Sequence, residues 1–222
     1  MKASIQLSVV LLATIAAVTP SQSHAQVGLG VKASTLGIGG ELRVPLVSRF
    51  ALRGGANFFS FSRDEEIEGI NYDITPKLRN GAAYLDLHPL ASAFRLTGGV
   101  VYNKNRINIR ATPVTPIEIG DMTFQPSEVG ELNGRIDVDD FSPYLGLGFG
   151  GNGRVSLTFD IGVVFHGTPR ASLTGITPLT GSAKVIFDQE VARELADLQQ
   201  AIDDESLARY YPVISFGIVI RP

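Results

Sequence analysis

The sequence predicts an all-β fold: an eight-stranded antiparallel transmembrane β-barrel with one helix in an extracellular loop. Three observations predict it: an N-terminal export signal, strict apolar–polar alternation over runs long enough to cross a bilayer, and links that alternate between short and long. Composition agrees. Glycine is abundant at 24 of 222 residues, charged residues make up only 18%, and tryptophan is absent. Apolar residues at 44% exclude a disordered chain. A net charge of −3 gives a nucleic-acid partner no electrostatic footprint. There is no cysteine, which excludes disulfide frameworks, thiol catalysis and thiolate metal sites.

The N-terminus has the three-part layout of a secretory signal peptide. Lys2 supplies the positive end, Ile5 to Val18 form an uncharged apolar run, and Ser23-His24-Ala25 is a small-x-small site with cleavage expected after Ala25. The run is too short for a comfortable transmembrane helix. Residues 1–25 are therefore read as the signal peptide and 26–222 as one barrel domain. No later stretch is apolar enough for an inner-membrane helix, so the chain is expected to pass through the periplasm.

The remainder of the chain has a period of two. Phe50, Leu52, Gly54, Ala56 and Phe58 share one face, and Arg53, Gly55 and Asn57 share the other. Leu85 and Leu87 likewise oppose Tyr84 and Asp86; Leu96, Gly98 and Val100 oppose Arg95 and Thr97; Leu157 and Ile161 oppose Thr158 and Asp160. Such alternation is a strand signal. The large apolar face and the sparse, small polar face suit a membrane barrel, in which apolar side chains meet lipid and polar ones fill a narrow lumen. The phase flip at Ser34-Thr35 reads as a tight hairpin or as a bulge in one long strand; taking the hairpin, strands are expected near 26–34, 36–45, 49–62, 72–88, 94–110, 135–149, 154–166 and 209–221. The links at 45–48, 88–93 and 150–153 are short, whereas 63–71, 111–134 and 167–208 are long. That pattern puts tight turns in the periplasm and long loops outside. In the last long loop, Val191, Leu195, Leu198 and Ile202 recur at helical spacing, so a helix is expected over 188–208 with Asp188 as N-cap and an acidic outer face. Two aromatic belts are expected, with Phe58, Phe59, Phe61, Tyr72 and Phe165 at the outer level and Tyr84, Phe94, Phe149 and Phe50 at the periplasmic level.

The candidate site is a network of lumen charges: Glu41, Arg43, Arg53, Asp86, Arg95, Arg135, Asp137 and Asp160. Buried charges are costly unless paired, so these are expected to neutralise one another and plug the lumen, with a narrow ion path as the alternative. His88 and His166 fall at opposite ends of the barrel and cannot share a metal. His166 with Ser172 and Thr168 gives no ordered nucleophile–base–acid set. No catalytic, cofactor-binding or metal residues are assigned, and the chain is not expected to be an enzyme.

The runs Leu78 to Pro89, Phe94 to Asn103 and Pro143 to Phe149, and the ending Tyr211 to Gly217, resemble small proteobacterial outer-membrane barrels of the broad OmpA/OmpW-like group. The resemblance implies a monomeric barrel in the outer membrane of a Gram-negative cell, inserted by the barrel-assembly machinery, with lipid and lipopolysaccharide as its surroundings. It implies a structural or surface-interaction role. The alternatives are a small-solute channel, a lipid A-modifying enzyme, or, were the faces reversed, a soluble periplasmic ligand-binding barrel. Pro222 stands where the group usually ends in an aromatic residue, and a residue without an amide donor must lie beyond the ladder.

Overall fold

A computed structural model describes residues 27–222 apart from 68, 90–92 and 152. The expected signal segment and its cleavage site lie outside the described residues. Among those described, fourteen strands form: β1 (Gly28–Ser34), β2 (Gly37–Val47), β3 (Phe50–Ser60), β4 (Arg63–Ile67), β5 (Ile70–Leu87), β6 (Phe94–Asn103), β7 (Arg106–Pro113), β8 (Ile117–Ile119), β9 (Met122–Phe124), β10 (Glu131–Asp137), β11 (Phe141–Gly150), β12 (Val155–Phe165), β13 (Arg170–Ile176) and β14 (Tyr210–Ile220). Eight of them, in the order β5-β3-β2-β1-β14-β12-β11-β6 and back to β5, close an antiparallel barrel. Closure leaves every barrel strand paired on both sides, which is what a sheet in hydrocarbon requires.

The Ser34-Thr35 phase flip is a hairpin. Ser34 pairs with Gly37 across the two-residue turn. The turn holds itself through the Ser34 hydroxyl, which donates to the Gly37 carbonyl at 3.1 Å and accepts from the Leu36 amide at 3.2 Å. Pro222 lies beyond the ladder, because β14 makes its last pairs at Ile220, with Leu29 and Val155.

The wall of the barrel is uneven in height. Asn80 pairs with Asn103 and Lys77 with Arg106, so β6 and β7 follow β5 in one register. Phe141–Tyr102 and Asp137–Arg106 likewise make β10 and β11 one line. The expected strands 94–110 and 135–149 are therefore continuous in register but interrupted, at 104–105 and 138–140. Above the breaks, β4, the outer half of β5, β7, β10 and β13 form a sheet that rises past the short β14-β1-β2 side. We call it the platform. The long loops expected from sequence thus carry strands: 63–71 contributes β4, 111–134 the β8–β9 hairpin, and 167–208 contributes β13.

Polarity inverts along these strands. In the barrel the outward side chains are apolar and exposed, among them Leu52, Leu85, Leu96, Leu145, Leu157 and Phe216. An apolar belt of this extent is a surface for lipid. In the platform the outward positions are polar (Lys77, Arg106, Arg135), and the opposite face supplies Leu132 and Leu173 to a second core with Ile119, Phe124, Val129, Phe187 and Val191.

The helix differs from expectation. It spans Gly181–Asp204, N-capped by Thr180, and starts seven residues before Asp188. Its buried stripe centres on Phe187, Glu190 and Val191, while Leu198 is exposed. Phe187 meets Phe124 edge-on at 5.3 Å and fixes the N-terminal half in the platform core. The apolar spacing of the C-terminal half is the part visible in sequence; the anchoring residue lies upstream of it. Glu190 and Glu194 are not a free acidic surface. They accept the Asp121 and Gly120 amides at 2.9 and 3.1 Å and so hold the tip of the β8–β9 hairpin. Gly120 has φ +59, and a Cβ there would run into Glu190, so this turn needs glycine twice over.

Candidate functional site

Five of the eight sequence-predicted charges converge in the lumen. Arg53 of β3, 2% exposed, is the hub. Its Nε lies 2.9 Å from Asp86 Oδ2, its Nη1 3.2 Å from Asp160 Oδ2, and the same Nη1 3.3 Å from Glu41 Oε2. Arg95 adds a second cation, 2.6 Å from Asp160 and 3.8 Å from Asp86. Lys32, which sequence reasoning missed, adds a third at 3.3 Å from Glu41. Lys32, Arg53 and Arg95 thus face Glu41, Asp86 and Asp160, and the cluster is neutral in itself. Thr97 completes it by donating to Asp86 at 2.7 Å. Lys32 was legible in principle, since it alternates with Val31 and Ala33 on a strand whose outward face is apolar.

The other three predicted residues lie elsewhere. Arg43 points into the lumen nearer the short turns and contacts His88 at 2.6 Å. Arg135 and Asp137 are in β10, on the outward face of the platform, away from the cluster. The strand that contains them is legible in sequence, but its exit from the barrel at 138–140 is not, and above that break the polar face looks outward.

Tyr84 is also placed differently: it is no belt residue but a lumen one, 5% exposed. Its ring lies 5.0 Å from the Arg53 guanidinium and 4.9 Å from the Tyr144 ring. Together with Tyr144, Leu36, Val101, Val164 and Val213 it forms an apolar layer on the platform side of the ion pairs. Glycine makes room for this layer: a Cβ on Gly146 or Gly162 would collide with the Tyr144 phenol. Asn57 and Asn80, joined at 2.7 Å, flank it, and Asn80 also donates to the Leu36 carbonyl at 2.8 Å. At the short-turn end Arg221 donates to Ser156 and to the Gly153 carbonyl, each at 2.7 Å.

His166 and Ser172 do not form a pair. Ser172 lies on the outward face of β13 and donates to the Arg135 carbonyl, while His166 is buried at the outer rim, 6.3 Å between ring centroids from Tyr211. Burial depresses the His166 pKa below its usual value. Among the described residues no group of three His, Asp or Glu side chains is arranged to hold a metal ion. No helix among them is long and apolar enough to cross a membrane.

The closed eight-stranded barrel has counterparts among solved structures. CarO of Acinetobacter baumannii superposes with a TM-score of 0.59 at 20% identity, covering 88% of this chain and 97% of that one. CarO2 of the same organism gives the same score and identity, over 88% and 98%. The fold is that of a small outer-membrane barrel. A major outer membrane protein from Thermus thermophilus aligns over 88% and 99%, at 14% identity and a TM-score of 0.47. No protein-family model matches the chain, and no curated protein does.

Proposed function

We propose that this protein is an exported outer-membrane barrel with a closed lumen, whose role is structural and surface-interactive and whose working part is the extracellular platform. One observation carries the reading. The ion-pair cluster is roofed by an apolar layer in which Val101 and Val164 are wholly buried and Tyr144 is 3% exposed. A conducting path needs continuous water, and an eight-stranded barrel has an interior just wide enough for side chains to fill. Here they fill it with matched charges below and packed apolar groups above. The sheet also closes on itself, so the reading needs no second chain to complete the wall.

The test is reconstitution of the purified chain in planar bilayers. The expected result is a baseline without discrete conductance steps. Steps in the unmodified protein that change when Arg53 or Asp160 is replaced would overturn the closed-lumen reading in favour of a channel. Insertion itself is read separately. The folded barrel migrates differently before and after boiling in detergent, since its backbone bonds are all internal.

A further inference from the structure

The outward face of the platform carries a groove of about 1020 Å³ that plays no part in the lumen chemistry. Lys77, Arg79, Lys104, Arg106 and Arg135 line it, and Asp73 opposes them. Pairing sets the cations side by side. Lys77 stands opposite Arg106, and the Lys104 amide bonds the Arg79 carbonyl at 2.9 Å, which puts those two residues abreast on the next rung. Lys104 has Asp140 as its partner. Lys77, Arg79, Arg106 and Arg135 make no side-chain ion pair among the described residues, although Asp137 stands opposite Arg106 in register. Like charges directly opposite one another destabilise a sheet, and an anion bridging them reverses the sign.

The wall beneath identifies the anion. Tyr102 and Phe141, 43% and 70% exposed with their rings 5.1 Å apart, form the rung below the cations, and Phe58, 61% exposed, stands opposite Arg79. Lower still, an outward trough of about 870 Å³ on β5, β6, β11 and β12 is lined by apolar side chains including Leu85, Leu96, Leu145 and Ile161. Basic groove, aromatic rung and apolar trough succeed one another down a single wall. This is the complement of an amphiphile with phosphorylated head and acyl tail, at the end of the barrel opposite the short turns. The geometry points to a lipopolysaccharide site: Lys77, Arg79, Lys104 and Arg106 hold the lipid A phosphates, and an acyl chain lies along the trough. The inference rests on the outer-membrane reading above.

The experiment uses the full folded barrel in neutral detergent, with bis-phosphorylated lipid A as probe and dephosphorylated lipid A and phosphatidylglycerol as controls. Binding is compared between the unmodified protein and a Lys77→Ser/Arg79→Ser/Arg106→Ser variant. Lipid A is expected to bind the unmodified barrel at least tenfold more tightly than either control, and the variant is expected to lose that margin. Equal binding of dephosphorylated lipid A, or of phosphatidylglycerol, to the unmodified protein overturns the site without recourse to any variant. So does full binding by a variant that keeps its boiling-dependent gel shift. Absence of that shift in the unmodified protein strikes instead at the outer-membrane reading.

Discussion

Replacing Arg53 with methionine should destabilise the barrel by about 3 kcal/mol, near the lower end of the range for breaking a buried ion pair. The geometry sets that position in the range. Arg53 serves three carboxylates, but each keeps a partner when it goes: Glu41 retains Lys32 at 3.3 Å, Asp160 retains Arg95 at 2.6 Å, and Asp86 retains the Thr97 hydroxyl at 2.7 Å. Asp86 fares worst, because its remaining cation, Arg95, is 3.8 Å away. The cluster is left with two cations against three carboxylates. Adding Asp86→Asn restores the balance, with Lys32 and Arg95 facing Glu41 and Asp160. The double variant should therefore be more stable than Arg53→Met alone by more than about 1 kcal/mol, a non-additivity expected of groups in one network. Urea unfolding in detergent, followed by far-ultraviolet circular dichroism and gel mobility, measures both quantities; tryptophan fluorescence is no help in a chain without tryptophan. A single variant within about 1 kcal/mol of the parent, or a double variant whose losses simply add, would refute the account of Arg53 as hub.

Two further predictions separate the platform from the barrel. A Cβ at Gly175 would collide with the Phe187 ring, so Gly175→Val should unseat the helix and expose 177–209 to protease while the boiling-dependent shift persists. Loss of the shift with no new cleavage would contradict an independently packed platform. At the outer rim, the His166 imidazole should titrate below about 6.5 when followed by NMR, because burial disfavours its charged form. A folded pKa below the unfolded one means that stability is complete above about pH 6.5 and falls as pH drops toward the folded value. His166→Asn should flatten that fall, and a midpoint at or above 6.5 would show the ring to be solvated.

Alternation makes the barrel legible because period two survives in every strand that separates lipid from lumen. Arg53, Asp86, Arg95 and Asp160 are placed correctly by it for that reason: each sits between outward apolar neighbours. Lys32 escapes notice because its strand is short and glycine-rich. Tyr84 is ambiguous because an aromatic near a strand end suits either a belt or a filled lumen, and what decides is Gly99 opposite it, where a Cβ would collide with the Tyr84 ring. Arg135 and Asp137 mislead for a different reason. Period two says which residues share a face, but not which solvent that face meets. The helix start is hidden because one buried ring, Phe187, outweighs the more regular but exposed spacing around Leu198.

The same ambiguity explains how one continuous sheet serves two environments. From β6 into β7 the alternation never changes phase, since Tyr102, Lys104 and Arg106 all point outward. Composition is what changes: apolar up to Tyr102, cationic from Lys104. In hydrocarbon an outward Arg106 would cost several kcal/mol, and in water an outward Leu96 would belong to an exposed apolar patch. Each side chain is therefore suited to only one side of the Tyr102 level, and the chain marks its own membrane boundary there. The boundary also accounts for the second core. Once the outward face turns polar, the inward face is free to be apolar, and Leu132 and Leu173 bury it under Phe187 and Val191 instead of around ion pairs. A soluble platform and a membrane barrel thus share strands without sharing a core.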